Sequence, residues 1–309
     1  MSYFLSRLGY GVSLWLVVVA ITFALFHIVP TDPVRTMLGP NASEEQVTSA
    51  KHNLGLDKPV ASQFRDYLRR VAVLDFGRSF IDGRPVGTEV KQKLIVSGAL
   101  ASMTVIIVAL YLMAMIAING ASRRSWLPQV SEFFFISLPT LFSGVVVALA
   151  TVAYYPFTRF SGRLAAVEDW LFLLPPAFVL ALYPMGILGR IAREHMHLAA
   201  QADYTRAAQA RGLANGLVLR SYVLRNSLVP LLAAFGNQVP LLLTSTFVVE
   251  IVFSIPGIGA LLLKSVLARD LPMLEGIVVF TALLSIAVTL LLEWSYPLAD
   301  PRIRIERAR

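Results

Sequence analysis

The 309-residue sequence contains no cysteine, which excludes disulfides, thiolate catalysis, Cys-ligated zinc and iron–sulfur centres. Only four histidines are present. His195 and His197 stand two positions apart, so on a helix they point to different faces and cannot share a metal as an i, i+4 pair would. Neither H-E-x-x-H nor G-x-S-x-G occurs, so no familiar hydrolase constellation is available. A phosphate-cradling G-x-x-x-x-G-K-[ST] loop is missing too, since Gly259–Ser265 ends in Lys-Ser without the Gly that must precede the Lys. Charge is scarce: 15% of residues are charged, against about 25% in a soluble domain. A net charge of +8 would suit nucleic acid only if the Lys and Arg formed one face, and they are scattered along the chain.

Apolar side chains are what the sequence has instead. They make up 56% of the residues, and the mean hydropathy is +0.67. A bilayer-spanning helix needs about 20 mostly apolar residues. Six runs qualify, near Gly9–Val29, Ile95–Ile118, Phe133–Tyr155, Leu171–Gly189, Leu228–Val249 and Ile277–Leu298. The expected fold is therefore all-α and polytopic. The first run exceeds a signal-peptide core and lacks an A-x-A cleavage site before Pro30, so it reads as an uncleaved helix. In the last run Glu293 must sit near the membrane edge, and Glu250, closing the fifth, is expected at the outer edge in reach of water. Pro175, Pro176 and Pro184 are expected to kink the fourth.

An even number of spans puts both ends on one side. Arg7, Arg123, Arg124, the segment Arg190–Arg225 and the Arg-rich tail then share that side and hold 13 of the 27 Lys and Arg. The short loops opposite, Pro156–Trp170 and Glu250–Gly276, hold only four. The positive-inside rule places both termini in the cytoplasm and exports the long 30–94 loop. In that loop Ser43-Glu44-Glu45-Gln46 has the form of a capping box. After Pro59, Val60, Phe64, Leu68 and Val71 recur at helical spacing. They mark either a plain amphipathic helix on the membrane domain or part of a docking surface.

The longest cytoplasmic stretch, residues 190–227, is too polar to cross a membrane, yet its Ala, Leu and Arg favour helix. Gly212 and the Asn215-Gly216 pair should interrupt it, which predicts a helix–turn–helix with Asp203–Ala208 on the first arm. By composition alone this is a solvated amphipathic loop or a contact surface where Ala side chains admit a close neighbour.

The run from Asp203 to Pro230, DYTRAAQARGLANGLVLRSYVLRNSLVP, resembles the loop of ABC-importer permeases in the dipeptide/oligopeptide/nickel branch, which reads D-Y-V-R-T-A-R-A-K-G and later R-N-x-L-x-P. Two departures are the missing Glu of the general motif and Arg211 in place of a Lys. Other family motifs follow in order: Pro30-Thr31-Asp32-Pro33, Leu54-Gly55-Leu56-Asp57-Lys58-Pro59, Asp75-Phe76-Gly77-Arg78-Ser79, Ser137-Leu138-Pro139, Phe253-Ser254-Ile255-Pro256-Gly257, Arg269-Asp270-Leu271-Pro272 and Asp300-Pro301-Arg302. Only residues 126–170 match poorly.

The resemblance implies a type I importer permease fold in a bacterial inner membrane: a first helix over 1–29, the exported loop, a core of five spans over 95–298, and a basic tail over 299–309. It implies a subunit without catalysis or cofactor of its own, with ATP and Mg held by partners. Those partners are two cytoplasmic ATPase subunits, a second homologous permease and an exported substrate-binding protein, in a lipid bilayer and without nucleic acid. Asp203, Tyr204, Arg206, Ala207, Ala208, Arg211, Gly212 and Leu213 would form the ATPase-coupling helix and its turn. Asn237, Gln238, Thr244 and Ser245 in the fifth span either line the pathway or bond between helices. Small peptides are the expected cargo, with nickel, a metallophore or another small solute as the alternative. A stand-alone channel or secondary transporter would call for ionisable groups at mid-membrane and internal repeats, and the sequence shows neither.

Overall fold

Each long apolar run becomes a helix because a backbone without water must bond to itself. The structure, a computed structural model, describes residues 2–28, 34, 38, 42–53, 55, 57–121, 127–154, 164 and 167–299. In chain order the helices are α1 (Ser2–Ile28), α2 (Glu44–Asn53), α3 (Val60–Ala72), α4 (Val86–Ala121), α5 (Leu127–Ser137), α6 (Thr140–Tyr154) and α7 (Val167–Gln201). There follow α8 (Asp203–Ala210), α9 (Asn215–Val218), a π-helical segment (Leu219–Leu224), α10 (Arg225–Val252), α11 (Ile258–Ala268) and α12 (Leu271–Ala299). Among the described residues, five helices are long and apolar enough to span a membrane, and six spans result if the bent pair α5–α6 counts as one.

The run expected as the third span is a bent pair of helices rather than one straight helix. α5 and α6 meet at 94° around Leu138-Pro139. Proline donates no N–H and disfavours helical backbone at the residue before it. The α6 ladder restarts beyond it, with Ser143 N donating to Pro139 O at 3.0 Å. The fourth span is longer than expected. α7 runs unbroken through its three prolines and continues to Gln201, so residues 190–201 extend a span rather than begin a loop. The first and last family motifs, at 30–33 and 300–302, lie outside the described residues, as do Leu54 and Leu56 of the second and the basic pair Arg123-Arg124.

The chain divides into two compact units, residues 1–96 with 256–287, and residues 97–255 with 288–309. In the first, the capping box forms as expected: Gln46 N donates to Ser43 Oγ (3.3 Å) and Ser43 N to Gln46 Oε1 (3.0 Å), starting α2. The amphipathic helix α3 also forms, but its buried face is centred on Tyr67 and Val71, while Val60 is 58% exposed. The Phe23 ring of α1 lies 5.0 Å from Phe64 and 5.4 Å from Tyr67. Tyr67 therefore acts as a core residue, and burial, with the Glu275 carboxylate nearby, pushes its phenol well up from the ordinary range.

The same unit joins two motifs that the sequence presents separately. Residues 75–85 fold back through an Arg78–Pro85 bridge, with Val86 N donating to Gly77 O at 3.1 Å. Ser79 Oγ, at the tip, donates to the Asp270 carboxylate, and Phe80 N donates to its other oxygen at 3.1 Å. Asp270 stands between α11 and α12, where Arg269 takes left-handed φ 55° as Asp270 N closes onto Ser265 O at 3.0 Å. α12 presses close to the start of α4: a Cβ on Gly276 would fall 2.3 Å from Val86 Cγ1, so only glycine fits.

In the second unit α7 is the central helix. Of its most apolar stretch 61% is buried, against at most 28% in the other single spans. Val108, Ala181, Met185 and Leu188 form the core, with Tyr111, Phe135, Leu231 and Phe235 packed around it. Glu250 departs from expectation. It is fully buried rather than open to water, and Ser97 Oγ donates to it from α4, taking over the solvation that the membrane edge was expected to supply.

Candidate coupling interface and pathway face

The helix–turn–helix expected after the fourth span is present, as α8, a turn and α9. α8 breaks from α7 at Ala202 yet stays latched to it, because buried Thr205 donates Oγ1 to Ala199 O at 2.7 Å. The turn depends on Gly212, which takes φ +77° while Gly212 N donates to Gln209 O (2.9 Å) and Leu213 N to Ala208 O (3.4 Å). A side chain there would cost about 1–2 kcal/mol of backbone strain. Asn215-Gly216 does not form a second break. Those residues open α9, with Val218 N bonding Ala214 O at 3.0 Å.

The eight coupling candidates divide between two faces. Ala208 is buried, 2% exposed, against the protein's own helices, and Leu213 is half-buried. Asp203, Tyr204, Arg206, Ala207, Arg211 and Gly212 are exposed. Tyr204, Ala207 and Arg211 recur at i, i+3 and i+7, so one surface of the arm presents an aromatic, a small residue and a cation. Tyr204 keeps 44% of its area open. The Arg206–Asp203 pair is 3.8 Å apart with the Asp203 side chain fully exposed, a geometry that water screens. Asp203 also occupies the first turn of α8, where a negative charge suits the helix dipole. Next to this arm Met196 and Ala199 of α7 cluster with Val223, Leu219 and Ile116, which joins α7 to α4 and the π-helical segment. Asn226 Nδ2 donates to Tyr222 O at 2.6 Å, which gives the Asn of the R-N motif a local structural task.

On α10 the four pathway candidates separate. Asn237 and Thr244 are exposed and, seven residues apart, share a face with exposed Leu241 and Val248. Ser245 is half-buried. Gln238 turns inward, 8% exposed, with Oε1 lacking a hydrogen-bond partner.

Reading the sequence did not single out Glu132 or Arg193. Glu132, on α5, is 2% exposed, and Arg193, on α7, grips it in a fork: Nε to Oε1 and Oε2 at 3.2 and 3.1 Å, Nη2 to Oε2 at 2.9 Å. A pairing 61 residues apart leaves no local pattern. The only trace was an acid at the mouth of an apolar run.

A family model described as "Binding-protein-dependent transport system inner membrane component" matches residues 106–305, and a second, for the N-terminal part of such components, matches residues 1–101. The chain belongs to this family. A protein of Brucella abortus (strain 2308) named for a peptide transport system permease is 31% identical over 309 residues, covering 98% of each chain. The glutathione transport system permease protein GsiC of Pectobacterium atrosepticum is 30% identical, covering 98% of this chain and 99% of its own. The di/tripeptide transport system permease protein DppB of Pseudomonas aeruginosa is 29% identical, covering 99% and 100%. This permease is accordingly a multi-pass protein of the bacterial inner membrane and a transport subunit of the ABC-importer type.

Proposed function

We propose that this permease forms half of the path by which an importer carries small peptides across the membrane, driven by ATP that separate cytoplasmic ATPase subunits bind with Mg and hydrolyse. The observation that carries the coupling is α8. It is a short helix whose inner side is latched by Thr205 and Ala208 and whose outer side offers Tyr204, Ala207 and Arg211 to a partner. A solvated loop would have no reason to expose a tyrosine beside small residues while holding its backbone so firmly. Closure of two ATPase subunits would draw two such arms together and rock the spans between inward-open and outward-open states. A second, similar permease completes the path, and the open face of α10 with Asn237 and Thr244 is its wet lining. An exported binding protein delivers cargo to the 30–94 side, with both termini of the permease in the cytoplasm. Relatives named for peptide, di/tripeptide and glutathione transport support the cargo class.

The test is a mild-detergent pull-down of the tagged chain from its native membrane, with co-purifying proteins identified by mass spectrometry. An ATPase and a second permease are expected, and Tyr204→Ala should leave membrane insertion intact while lowering ATPase recovery about tenfold. Recovery of the chain as a stable oligomer without an ATPase would overturn the coupling reading in favour of a channel.

A further inference from the structure

The Glu132–Arg193 pair sits where two elements must act together. α7 carries the coupling arm at its end, through Thr205 and Ala199. α5 is an 11-residue half-span that ends at the 94° corner leading into α6. On α7, Gly186, Gly189 and Arg193 fall on one face. The two glycines let α5 come so close that a Cβ on Gly186 would stand 2.6 Å from Ile136 Cγ1 and 2.9 Å from Glu132 O. Arg193 then closes on Glu132 from the same face. A third element joins in: Tyr111 of α4 stands 3.5 Å from Ser131 through its hydroxyl, and its ring meets Phe135 at 5.8 Å.

Stability alone does not explain the pair. Glu132 is buried while the Arg193 side chain stays 32% exposed, and apolar residues of similar volume generally hold two helices at least as well as an ion pair with a desolvated carboxylate. What the fork adds is direction. Its parallel N–H···O bonds fix angle and register together, which glycine contacts between smooth helices do not.

We propose that Glu132 and Arg193 are positioning residues that bind α5 rigidly to the α7–α8 arm, so that a displacement of the coupling helix reaches the Leu138-Pro139 corner. This rests on the coupling role given to α8 above. The half-span then moves as an extension of the arm, and the corner is where rotation passes into α6.

The absence of cysteine makes a direct test available. Spin labels at Phe133→Cys on α5 and Gln209→Cys on α8, both exposed positions, report their separation in the assembled importer, nucleotide-free and trapped with ATP, Mg and vanadate. The expected result is one unchanged distance in both states. Glu132→Gln and Arg193→Gln should each broaden it and lower the stimulation of ATP hydrolysis by the ligand-loaded binding protein at least tenfold, with ATPase co-purification unaltered. The exchange Glu132→Arg/Arg193→Glu should recover stimulation to within threefold. A wild-type distance that shifts by more than about 5 Å on trapping overturns the rigid connection while leaving the coupling arm intact. So does full stimulation in both single variants, or an exchange that assembles without recovery. If the wild-type chain fails to retain an ATPase, the coupling role itself falls, and the rigid connection with it.

Discussion

Removing the Asp270 carboxylate should loosen the 75–85 fold locally, by an amount that the geometry sets. Asp270 is 4% exposed and accepts two bonds, from Ser79 Oγ and from Phe80 N at 3.1 Å. Ser79 Oγ in turn accepts from Ile81 N and Asp82 N, both at 3.2 Å, so one carboxylate orders a four-residue turn. Hydrogen bonds to a charged group contribute about 1.5–3 kcal/mol each. Part of that returns when the carboxylate no longer has to be stripped of water, leaving a net loss of about 2–4 kcal/mol for Asp270→Ala. Since each 1.4 kcal/mol is tenfold, amide exchange at Phe80 to Asp82 should speed up by about 30- to 1000-fold, with the transmembrane amides unchanged. Asp270→Asn, which keeps an acceptor, should fall between wild type and Ala. In the cycle with Ser79→Ala the two losses should fail to add by at least about 1 kcal/mol. An exchange change below threefold at Phe80, or strict additivity, would show that the two motifs touch without supporting each other.

Substitutions at three glycines test the coupling turn and the helix packing separately. Gly212→Asp should insert and assemble normally, because a Cβ there meets nothing within 4 Å. It should nevertheless abolish stimulated ATP hydrolysis by placing a negative charge on the exposed turn beside Arg211, while the uncharged Gly212→Asn, which tolerates left-handed backbone as Asp does, retains most of it. Normal stimulation in the assembled Asp variant would refute this. Gly186→Ala should destabilise by about 1–3 kcal/mol through overpacking against α5, although alanine is the better helix former. Gly98→Ala, with open space at its Cβ, should gain up to about 1 kcal/mol. The apparent melting temperatures in detergent should move in opposite directions, and parallel shifts would count against the close approach.

What was legible in the sequence was whatever depends on neighbours in the chain. The spans follow from length and hydropathy, and the Ser43–Gln46 box from a four-residue rule. The turn at Gly212 follows from glycine's tolerance of positive φ, yet the same reasoning overreached at Asn215-Gly216. There both residues can sit in a helix, and the segment beyond, docked through Val218 and Val223, decides that they do. On α3, spacing identified the right helix but put Val60 on its buried face, whereas Tyr67 is buried there and packs with Phe64 against Phe23 of α1. The third span broke at Leu138-Pro139, a motif noted for its resemblance but not weighed as a helix terminator. In α7, by contrast, three prolines stand inside one continuous helix, which is the most buried of the single spans yet keeps Leu171, Leu174 and Phe178 exposed along one side.

The acids show most clearly where one-dimensional reasoning stops. A membrane makes a bare carboxylate costly, so the sequence argument moves every acid to a water-facing edge. The structure uses a second solution: Glu250 is fully buried with a hydroxyl donated by Ser97, 153 residues away, and Glu132 is buried in the fork of Arg193. Both pairs join helices within the unit that carries the coupling arm. A carboxylate that must find a donor to remain buried tolerates little sliding of the helix that supplies it. Burying these acids therefore converts a solvation penalty into fixed register between α4 and α10, and between α5 and α7. In a subunit whose work is to move helices as bodies, that register decides which parts move together.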